Sequence, residues 1–323
     1  MKFAGIIAEY DPFHNGHAWQ LAQAKALGAE RVAVAMSCSL VQRGALPLLP
    51  EAVRTRSALT CGADLVFALP APCACAGAEA FARAGVALLA AAGCDGLVFG
   101  AETPDAALLM EAAELLDSAP YRAALKAQLA GGARSFAAAR QAAAAKLASD
   151  ERVAALLDKP NNNLAVEYCR AIRSLAPRME AYPLPRQGAN HGEALHSAHG
   201  QFASASALRK LWAEGGADAV APYVPEAVFP LYQEAYAAGQ YTDFSAAGRC
   251  ELALLRARCT GETPFANVRG VSEGLEHRLE KAVRASTTLD ELLNALTTVR
   301  YPRARMRRLA MDAALGCTAD SLP

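Results

Sequence analysis

The sequence predicts an open α/β fold in which helices cover both faces of a parallel sheet. Five short apolar runs alternate with longer stretches of helical pattern. Because these runs are continuously apolar, the strands they predict are buried on both faces, as strands of parallel sheets are. The chain has 323 residues, of which 53% are hydrophobic and 20% charged, and this length and composition favour a globular protein of two domains.

The predicted elements follow one another in a regular order. The strands are expected at residues 2–8, 31–36, 63–69, 96–100 and 179–184. The helices that separate or follow them are expected at residues 16–27, 54–61, 78–92, 164–175 and 204–212. Residues 104–158 are rich in Ala, which has the highest helix propensity, and we expect them to form a helical insertion. Ligands of open α/β sheets bind beyond the carboxyl ends of the strands, so the functional site is expected there.

The composition of the sequence changes near Gly215. Two consecutive glycines and then Pro222, Pro225 and Pro230 punctuate a linker-like stretch, after which residues 226–317 have a mostly helical pattern. We therefore predict a sheet domain over residues 1–214, with the helical insertion at about 104–158, and a helical domain over residues 215–323.

Charge and cysteine content exclude several classes of protein. The 32 Lys and Arg residues balance the 32 Asp and Glu residues, which argues against attachment to nucleic acid by overall charge but allows a local basic patch. The nine cysteines are odd in number and form no pair of CxxC motifs, so we expect reduced thiols rather than disulfides or zinc ligands. No signal peptide or bilayer-length apolar run is apparent, and we expect a soluble, cytoplasmic protein with no membrane partner.

The most informative motif is His14-Asn15-Gly16-His17, which follows the first predicted strand and opens the first helix. An HxGH pattern arises by chance in roughly one chain in a hundred of this composition. The N-terminus of a helix offers unpaired N–H groups and a partial positive charge, which suit phosphates. The spacing places both imidazoles on one face of the first turn, where they could stabilise a departing pyrophosphate. The alternative is that the two histidines are capping or core residues.

The residues around this motif resemble a known family. AEYDPFHNGH is similar to the EYNPFHNGH of the bacterial tRNA(Met) cytidine acetate ligases, which belong to the HxGH nucleotidyltransferase superfamily. The segments MSCSLVQRG, ADLVFALP, LVFGAE, PNNNLAVEY and FASASALRK resemble further motifs of that family, in the same order along nearly the whole chain. The resemblance implies a Rossmann-like, parallel-sheet nucleotidyltransferase domain of HxGH type with a helical insertion, followed by a mostly helical C-terminal domain.

The resemblance also implies an activity. Members of the family use ATP to adenylate acetate and release pyrophosphate. They then transfer the acetyl group to the wobble cytidine of elongator tRNA(Met), giving N4-acetylcytidine. The implied catalytic residues are His14 and His17, the implied partners are ATP, acetate and tRNA, and Mg²⁺ is expected with the ATP. The implied ATP-binding residues are Ile7, Ala8, Glu9, Tyr10, Pro12, Phe13, His14, Asn15, Gly16, His17, Gln20, Gly100, Asn161, Arg186, Ser204, Ser206 and Arg209.

Several of these positions also allow an ordinary structural role. Gly100 could let the nucleotide approach the backbone, or simply end a strand. Asn161 could read an adenine or ribose edge, or cap a helix. Arg186 could bind phosphate or acetate, or be solvated. The segment from Ser204 to Arg209 could form a phosphate-binding loop, or a serine cap followed by a surface arginine.

Two further basic features are candidates for anion binding. Arg43 follows the second strand and is a candidate for acetate or phosphate. Residues 300–308 carry five arginines and no acid, and they resemble the family's terminal RY-x-x-x-R-x-x-R pattern; a solvated helix face is the alternative. The predicted tRNA-binding residues are Arg300, Tyr301, Arg303, Arg305, Arg307 and Arg308. The histidines at 191, 196 and 199 are predicted to form a polar loop, and no metal site is predicted.

The chain departs from the usual family pattern at several positions. Asp11, Glu51 and Ala68 stand where Asn, Lys and Glu are common, and Cys38-Ser39 replaces a Gly and a larger polar residue. Asp11 is expected to add a negative charge near the phosphates, and acyl specificity stays open. One alternative is another HxGH nucleotidyltransferase that adenylates a small metabolite, which would not need the basic helical domain. The other is an inactive relative that binds RNA or nucleotide, which would not need both histidines.

Overall fold

The computed structural model describes residues 1–133, 135–186, 195–197 and 200–321 and confirms the predicted α/β class. A five-stranded parallel sheet has the order β3-β2-β1-β4-β5. Its strands are β1 (Phe3–Ala8), β2 (Arg31–Ser37), β3 (Leu65–Leu69), β4 (Gly96–Ala101) and β5 (Glu180–Pro185). The strand order changes direction between β1 and β4, so a ligand site is expected beyond the carboxyl ends of these two strands.

Helices cover both faces of this sheet. Val32, Val34 and Met36 of β2 point into one core and Ala33 and Ala35 into the other, which explains the continuous apolar run. The helices that precede β5 are α1 (Asn15–Ala26), α2 (Glu51–Thr60), α3 (Ala71–Ala74), α4 (Ala78–Ala91), α5 (Ala106–Asp117), α6 (Ala119–Ala130), α7 (Phe136–Leu147), α8 (Glu151–Leu156) and α9 (Pro160–Leu175). The predicted helical insertion therefore forms most of the crossover from β4 to β5.

The chain between the sheet and the C-terminal helices packs on the sheet domain. A short antiparallel pair, β6 (Leu195–Ser197) and β7 (Gly200–Phe202), precedes α10 (Ala205–Gly215), and α11 (Phe229–Ala237) follows. The Tyr232 hydroxyl of α11 donates a hydrogen bond of 2.7 Å to the carbonyl of Phe13. Because α11 shares a core with β1, we propose a domain boundary after Gly239 in place of the one predicted at residue 214.

Four further helices form a bundle with a core of its own. They are α12 (Phe244–Arg258), α13 (Leu275–Ala285), α14 (Leu289–Leu296) and α15 (Arg303–Leu315). Arg269 fastens this bundle to the sheet domain. Its guanidinium is paired with Asp312 at 2.6 Å and also donates to the carbonyls of Pro72 and Cys75. The bundle is thereby held at a fixed position beside the carboxyl ends of the strands.

The turn at residues 42–44 packs directly against the backbone of α15. Gly44 has φ +78°, and an added Cβ would lie 2.6 Å from the amide nitrogen of Arg308. Gly270 has nearly the same φ, +80°, but its Cβ would meet nothing within 4 Å. We expect Gly44→Ala to cost about 1–3 kcal/mol more free energy of unfolding than Gly270→Ala, because only Gly44 adds a clash to the backbone strain. Urea unfolding of both variants measures this difference, and equal losses would contradict the close packing.

Three remaining sequence predictions concern membranes, thiols and histidines. No helix in the described ranges is long and apolar enough to cross a membrane. All nine cysteines lie in these ranges and are free thiols. The histidines at positions 191 and 199 lie outside the described residues. His196 lies in a short strand, Leu195–Ser197, rather than in the predicted loop, and its side chain is not described.

Candidate active site

The HNGH motif forms the N-terminus of α1, directly after the loop that follows β1. His14 is the N-cap, and its Nδ1 accepts a hydrogen bond of 3.0 Å from the amide of Gly16. The rings of His14 and His17 are stacked, with their centroids 3.8 Å apart. Because Nδ1 of His14 accepts this hydrogen bond from Gly16, the neutral form of His14 carries its proton on Nε2, which is left as a hydrogen-bond donor. His14 thus caps the helix, as the structural alternative supposed, and still has a donor for a ligand.

Both imidazoles are neutral at physiological pH. Burial lowers the pKa of His14 to about 4, and the positive charges of Arg186 and Arg209 contribute in the same direction. Burial also lowers the pKa of His17 well below its usual value, with His14 and Arg186 adding to the effect. The site therefore offers neutral N–H donors from the histidines and fixed positive charge from the arginines.

Asp11 gathers two of the candidate arginines beside the HNGH motif. Its carboxylate is 1% exposed, accepts the amide of Leu48 at 2.5 Å and is paired with Arg43. Arg209 approaches the same carboxylate at 3.3 Å and donates to the Asp11 carbonyl at 2.5 Å. We expected Asp11 to add a negative charge near the phosphates, but this carboxylate is neutralised by two arginines that come from distant parts of the chain.

Arg54 is a buried residue of this region that the sequence prediction missed. Its side chain is fully buried in α2, and burial lowers the pKa of its guanidinium. It donates hydrogen bonds to the carbonyls of Glu9, Ser37, Cys38 and Leu49. Arg54 therefore fixes the loops that leave β1 and β2. No local pattern marks such a residue, because its partners are backbone carbonyls supplied by other elements.

Glu9 lies beside Asp11 at the same edge of the sheet. Its carboxylate accepts the amide of Gln42 at 2.5 Å, which connects the loop after β1 with the turn that holds Arg43. Burial raises the pKa of Glu9, and the positive charge of Arg43 opposes that rise. The first loop and the Arg43 turn are thus joined by a hydrogen bond as well as by the ion pair of Asp11.

The end of β4 brings together the predicted residues Gly100, Asn161 and Arg186. A Cβ on Gly100 would lie 3.5 Å from Cγ of Arg186, so the arginine covers this end of the strand. Asn161 lies in the first turn of α9, and both its backbone amide and its side-chain amide donate to Glu102. The helix cap is Lys159, so Asn161 does not occupy the cap position. Its side-chain carbonyl is the group that could still meet a nucleotide.

The strand that leads into α10, β7, packs against α1. Ser204 caps α10 by accepting the amide of Ala207 at 3.2 Å, and its hydroxyl lies 3.0 Å from that of Ser206. A Cβ on Gly16 would lie 3.7 Å from Phe202, just before this cap. The serine cap and the phosphate loop were alternatives in the sequence. The cap is formed, and it directly follows the strand that packs against α1.

Other residues of the implied ATP loop hold α1 in place. Tyr10 and Phe13 are buried in the core, so only their backbone can face a ligand. Gln20 donates from its side chain to the Val98 carbonyl of β4 at 3.1 Å, and Asn15 donates to the Pro222 carbonyl at 3.3 Å. Ile7, Ala8 and Pro12 lie on the same stretch, at the end of β1 and in the loop that follows it.

The basic segment at residues 300–308 divides into two parts. Arg300 is paired with Glu273 at 2.6 Å and Arg303 with Asp290 at 2.5 Å, and Arg305 lies over the ring of Tyr301. Arg307 and Arg308 are half-buried, and Arg308 donates to the carbonyl of Gln42 at 3.4 Å. The segment is therefore neutralised at its distal end and joins the Arg43 turn at its proximal end.

Comparison with known proteins decides the family. The family model described as HIGH Nucleotidyl Transferase matches residues 1–323. A tRNA(Met) cytidine acetate ligase of Acetivibrio thermocellus is 33% identical over 331 residues, covering 100% of this chain and 79% of that protein. One from Syntrophotalea carbinolica is 35% identical over 314 residues, covering 96% and 73%. The chain belongs to the tRNA(Met) cytidine acetate ligase family of HIGH nucleotidyl transferases.

Solved structures of the same family agree with this fold. The structure described as Thermotoga maritima TmcAL bound with alpha-thio ATP superposes with a TM-score of 0.89 at 28% identity. It covers 99% of this chain and 76% of that one. The apo form of Thermotoga maritima TmcAL superposes with a TM-score of 0.91 at 29% identity, covering 99% and 77%. The sheet and the helices that follow it are therefore shared with these structures.

Proposed function

We propose that this protein is an ATP-dependent ligase that acetylates the wobble cytidine of elongator tRNA(Met). The observation that carries the proposal is the stacked pair of His14 and His17 at the N-terminus of α1, with Arg186 and Arg209 beside it. This arrangement suits the triphosphate of ATP, because it combines N–H donors, a helix N-terminus and fixed positive charge. The proposed acceptor, the cytidine of tRNA(Met), comes from the names of the relatives that match nearly the whole chain.

In the first step an acetate oxygen attacks the α-phosphorus of ATP. A new P–O bond forms, the bond from the α-phosphorus to the bridging oxygen breaks, and pyrophosphate leaves with that oxygen. The Nε2–H of His14 and the N–H of His17 donate to phosphate oxygens on which negative charge develops. Arg209 and the serine cap of α10 hold the tail of the triphosphate. Arg43 is 29% exposed, so part of its guanidinium is available to the acetate carboxylate.

We propose that Mg²⁺ would bind with the phosphates of ATP rather than with protein carboxylates. The carboxylates of Glu9 and Asp11 are engaged by the amide of Gln42 and by two arginines. Within the described ranges, no group of three or more His, Cys, Asp or Glu side chains is arranged to hold a metal ion. Magnesium often binds through substrate phosphates and water, and there it would neutralise the triphosphate.

In the second step the exocyclic amine of cytidine attacks the acetyl carbonyl carbon of the acetyl-adenylate. An N–C bond forms, the bond between the carbonyl carbon and the phosphate oxygen breaks, AMP leaves, and the amine loses a proton. Arg305, Arg307 and Arg308 of α15 supply a surface for the tRNA backbone. Because Arg308 contacts the turn that holds Arg43, this surface begins next to the adenylation site. Because tRNA is the proposed substrate, we also propose a cytoplasmic location.

Acetate-dependent exchange of labelled pyrophosphate into ATP tests the first step without tRNA. We expect exchange that requires acetate and rises with its concentration. Exchange with a phosphorylated metabolite but not with acetate would support a different nucleotidyltransferase. ATP binding without exchange for any acid would support an inactive relative.

The pH dependence of the exchange follows from the histidine pKa values. A histidine with a lowered pKa stays neutral above that pKa, and His14 titrates at about 4. The profile of kcat/KM for ATP, measured with excess Mg²⁺ so that the terminal phosphate of ATP stays ionised, should therefore show no histidine titration between about pH 6 and pH 8. An inflection near the usual histidine pKa of about 6.5 would contradict the neutral state of the pair.

A further inference from the structure

A cleft opens beside the adenylation site at the carboxyl end of β2. It has a volume of about 420 Å³ and lies between residues 38–51 and residues 239–242. Its lining includes Ser39, Leu46, Glu51, Gln240 and Tyr241. None of the residues assigned to the first reaction step lines this cleft.

Two buried groups fix the cleft next to the ATP loop. Arg54 donates to the carbonyl of Glu9 in the ATP loop and to the carbonyl of Cys38 in the cleft wall. Asp11 accepts the amide of Leu48, which lies between the lining residues Pro47 and Leu49. The cleft therefore shares its inner wall with the loop that precedes His14.

Size and charge decide which substrate the cleft suits. A volume of about 420 Å³ lies in the range of small-molecule sites and far exceeds what acetate needs. Of the side chains that line it, Glu51 is acidic and the rest are uncharged. A carboxylate repels acetate and phosphate, but it accepts hydrogen bonds from an exocyclic amine such as that of cytidine. The lining thus favours a neutral base over an anion.

Tyr241 supplies an aromatic face for such a base. Its ring is 38% exposed and stacks on Tyr236, with the centroids 5.3 Å apart and the planes inclined by 18°. Trp212 packs edge-on against both tyrosine rings, which holds Tyr241 in position. Proteins that read single-stranded RNA stack unpaired bases on aromatic side chains held in this way.

The charge outside the cleft suits the phosphates of the same nucleotide. Leu46 lies two residues after Gly44, whose turn packs against Arg307 and Arg308. A base in the cleft would therefore have its flanking phosphates near α15. We propose that this cleft receives the unstacked acceptor nucleoside of the RNA substrate, with Tyr241 as its stacking platform. This inference rests on the proposed function and assigns the site of its second substrate.

The experiment separates the two half-reactions in the full-length protein. Acetyl transfer is measured from labelled acetate and ATP to an anticodon stem-loop RNA, and pyrophosphate exchange is measured without RNA. Ser39→Trp fills the cleft from an exposed position. Thr60→Trp is its control, because Thr60 is also exposed but lies at the end of α2 farthest from the cleft residue Glu51. Tyr241→Ala removes the platform, and Tyr241→Phe keeps the ring.

We expect Ser39→Trp and Tyr241→Ala to raise the KM for RNA about ten-fold or more, the size of a lost stacking contact. Both should keep the wild-type rate of exchange, while Tyr241→Phe and Thr60→Trp should match the wild type in both assays. An unchanged KM for RNA in Ser39→Trp would overturn the inference while leaving the proposed function intact. A parallel loss of exchange in Ser39→Trp would also overturn it, because the cleft would then serve adenylation. Absence of exchange in the wild type would instead refute the proposed function.

Discussion

Replacing His17 by alanine is expected to lower acetate-dependent pyrophosphate exchange by about 10²- to 10³-fold, the usual cost of losing one donor to a developing negative charge. His17 is the better residue to change, because His14 also caps α1. The ring of His17 packs against Tyr10 and Phe13, so alanine also removes core contacts. His17→Phe keeps an aromatic ring in that place and removes only the N–H donor, and it should lose as much activity.

The matched control for this prediction is His277→Ala. His277 is an exposed histidine of α13, with 67% of its side chain accessible, and its replacement should leave the rate of exchange unchanged. Measured with saturating ATP and acetate, a rate within ten-fold of the wild type for both His17 variants would show that the pair does not stabilise the reacting phosphates.

Removal of the Asp11 carboxylate is expected to have the largest effect on stability. Asp11→Ala leaves the guanidinium groups of Arg43 and Arg209 close together without their shared counter-charge, and it leaves the amide of Leu48 without its acceptor. Breaking a buried ion pair by removing one partner costs about 3–5 kcal/mol. Asp11→Asn should cost less, because its side-chain oxygen can still accept from Leu48. The family resemblance places an Asn at this position.

Urea unfolding followed by circular dichroism measures these free energies. Asp290→Ala is the control, because it breaks the ion pair of Arg303 with a carboxylate that is 81% exposed, and such pairs contribute about 0–1 kcal/mol. If Asp11→Ala and Asp290→Ala lost the same stability, the buried pairing of the two arginines would not hold the ATP loop.

The order of strands and helices could be predicted from the sequence because it depends on local patterns. Continuous apolar runs mark the strands, and the predicted strand at residues 96–100 corresponds to β4 within one residue. The position of the HNGH motif at a helix N-terminus was predictable for the same reason. The pair of β6 and β7 was not expected, since each strand has only three residues and no apolar run marks them.

What could not be predicted depends on contacts between distant residues. Asp11 looks like an added negative charge in the sequence, but in the structure its carboxylate is paired with Arg43 and Arg209. Arg54 is typical of a surface helix residue, yet it is fully buried against carbonyls of separate loops. Residues 300–308 contain no acid, although Glu273 and Asp290 neutralise two of their arginines in space.

The most direct test of the account is to identify the modified nucleoside. Elongator tRNA(Met) with cytidine at the wobble position is incubated with the protein, ATP and isotopically labelled acetate, then digested to nucleosides and analysed by mass spectrometry. We predict one labelled acetyl group on the cytidine of the wobble position, no label without ATP, and no label when uridine replaces that cytidine. Acetate-dependent pyrophosphate exchange with no label on this tRNA would contradict the assignment of the wobble cytidine as acceptor.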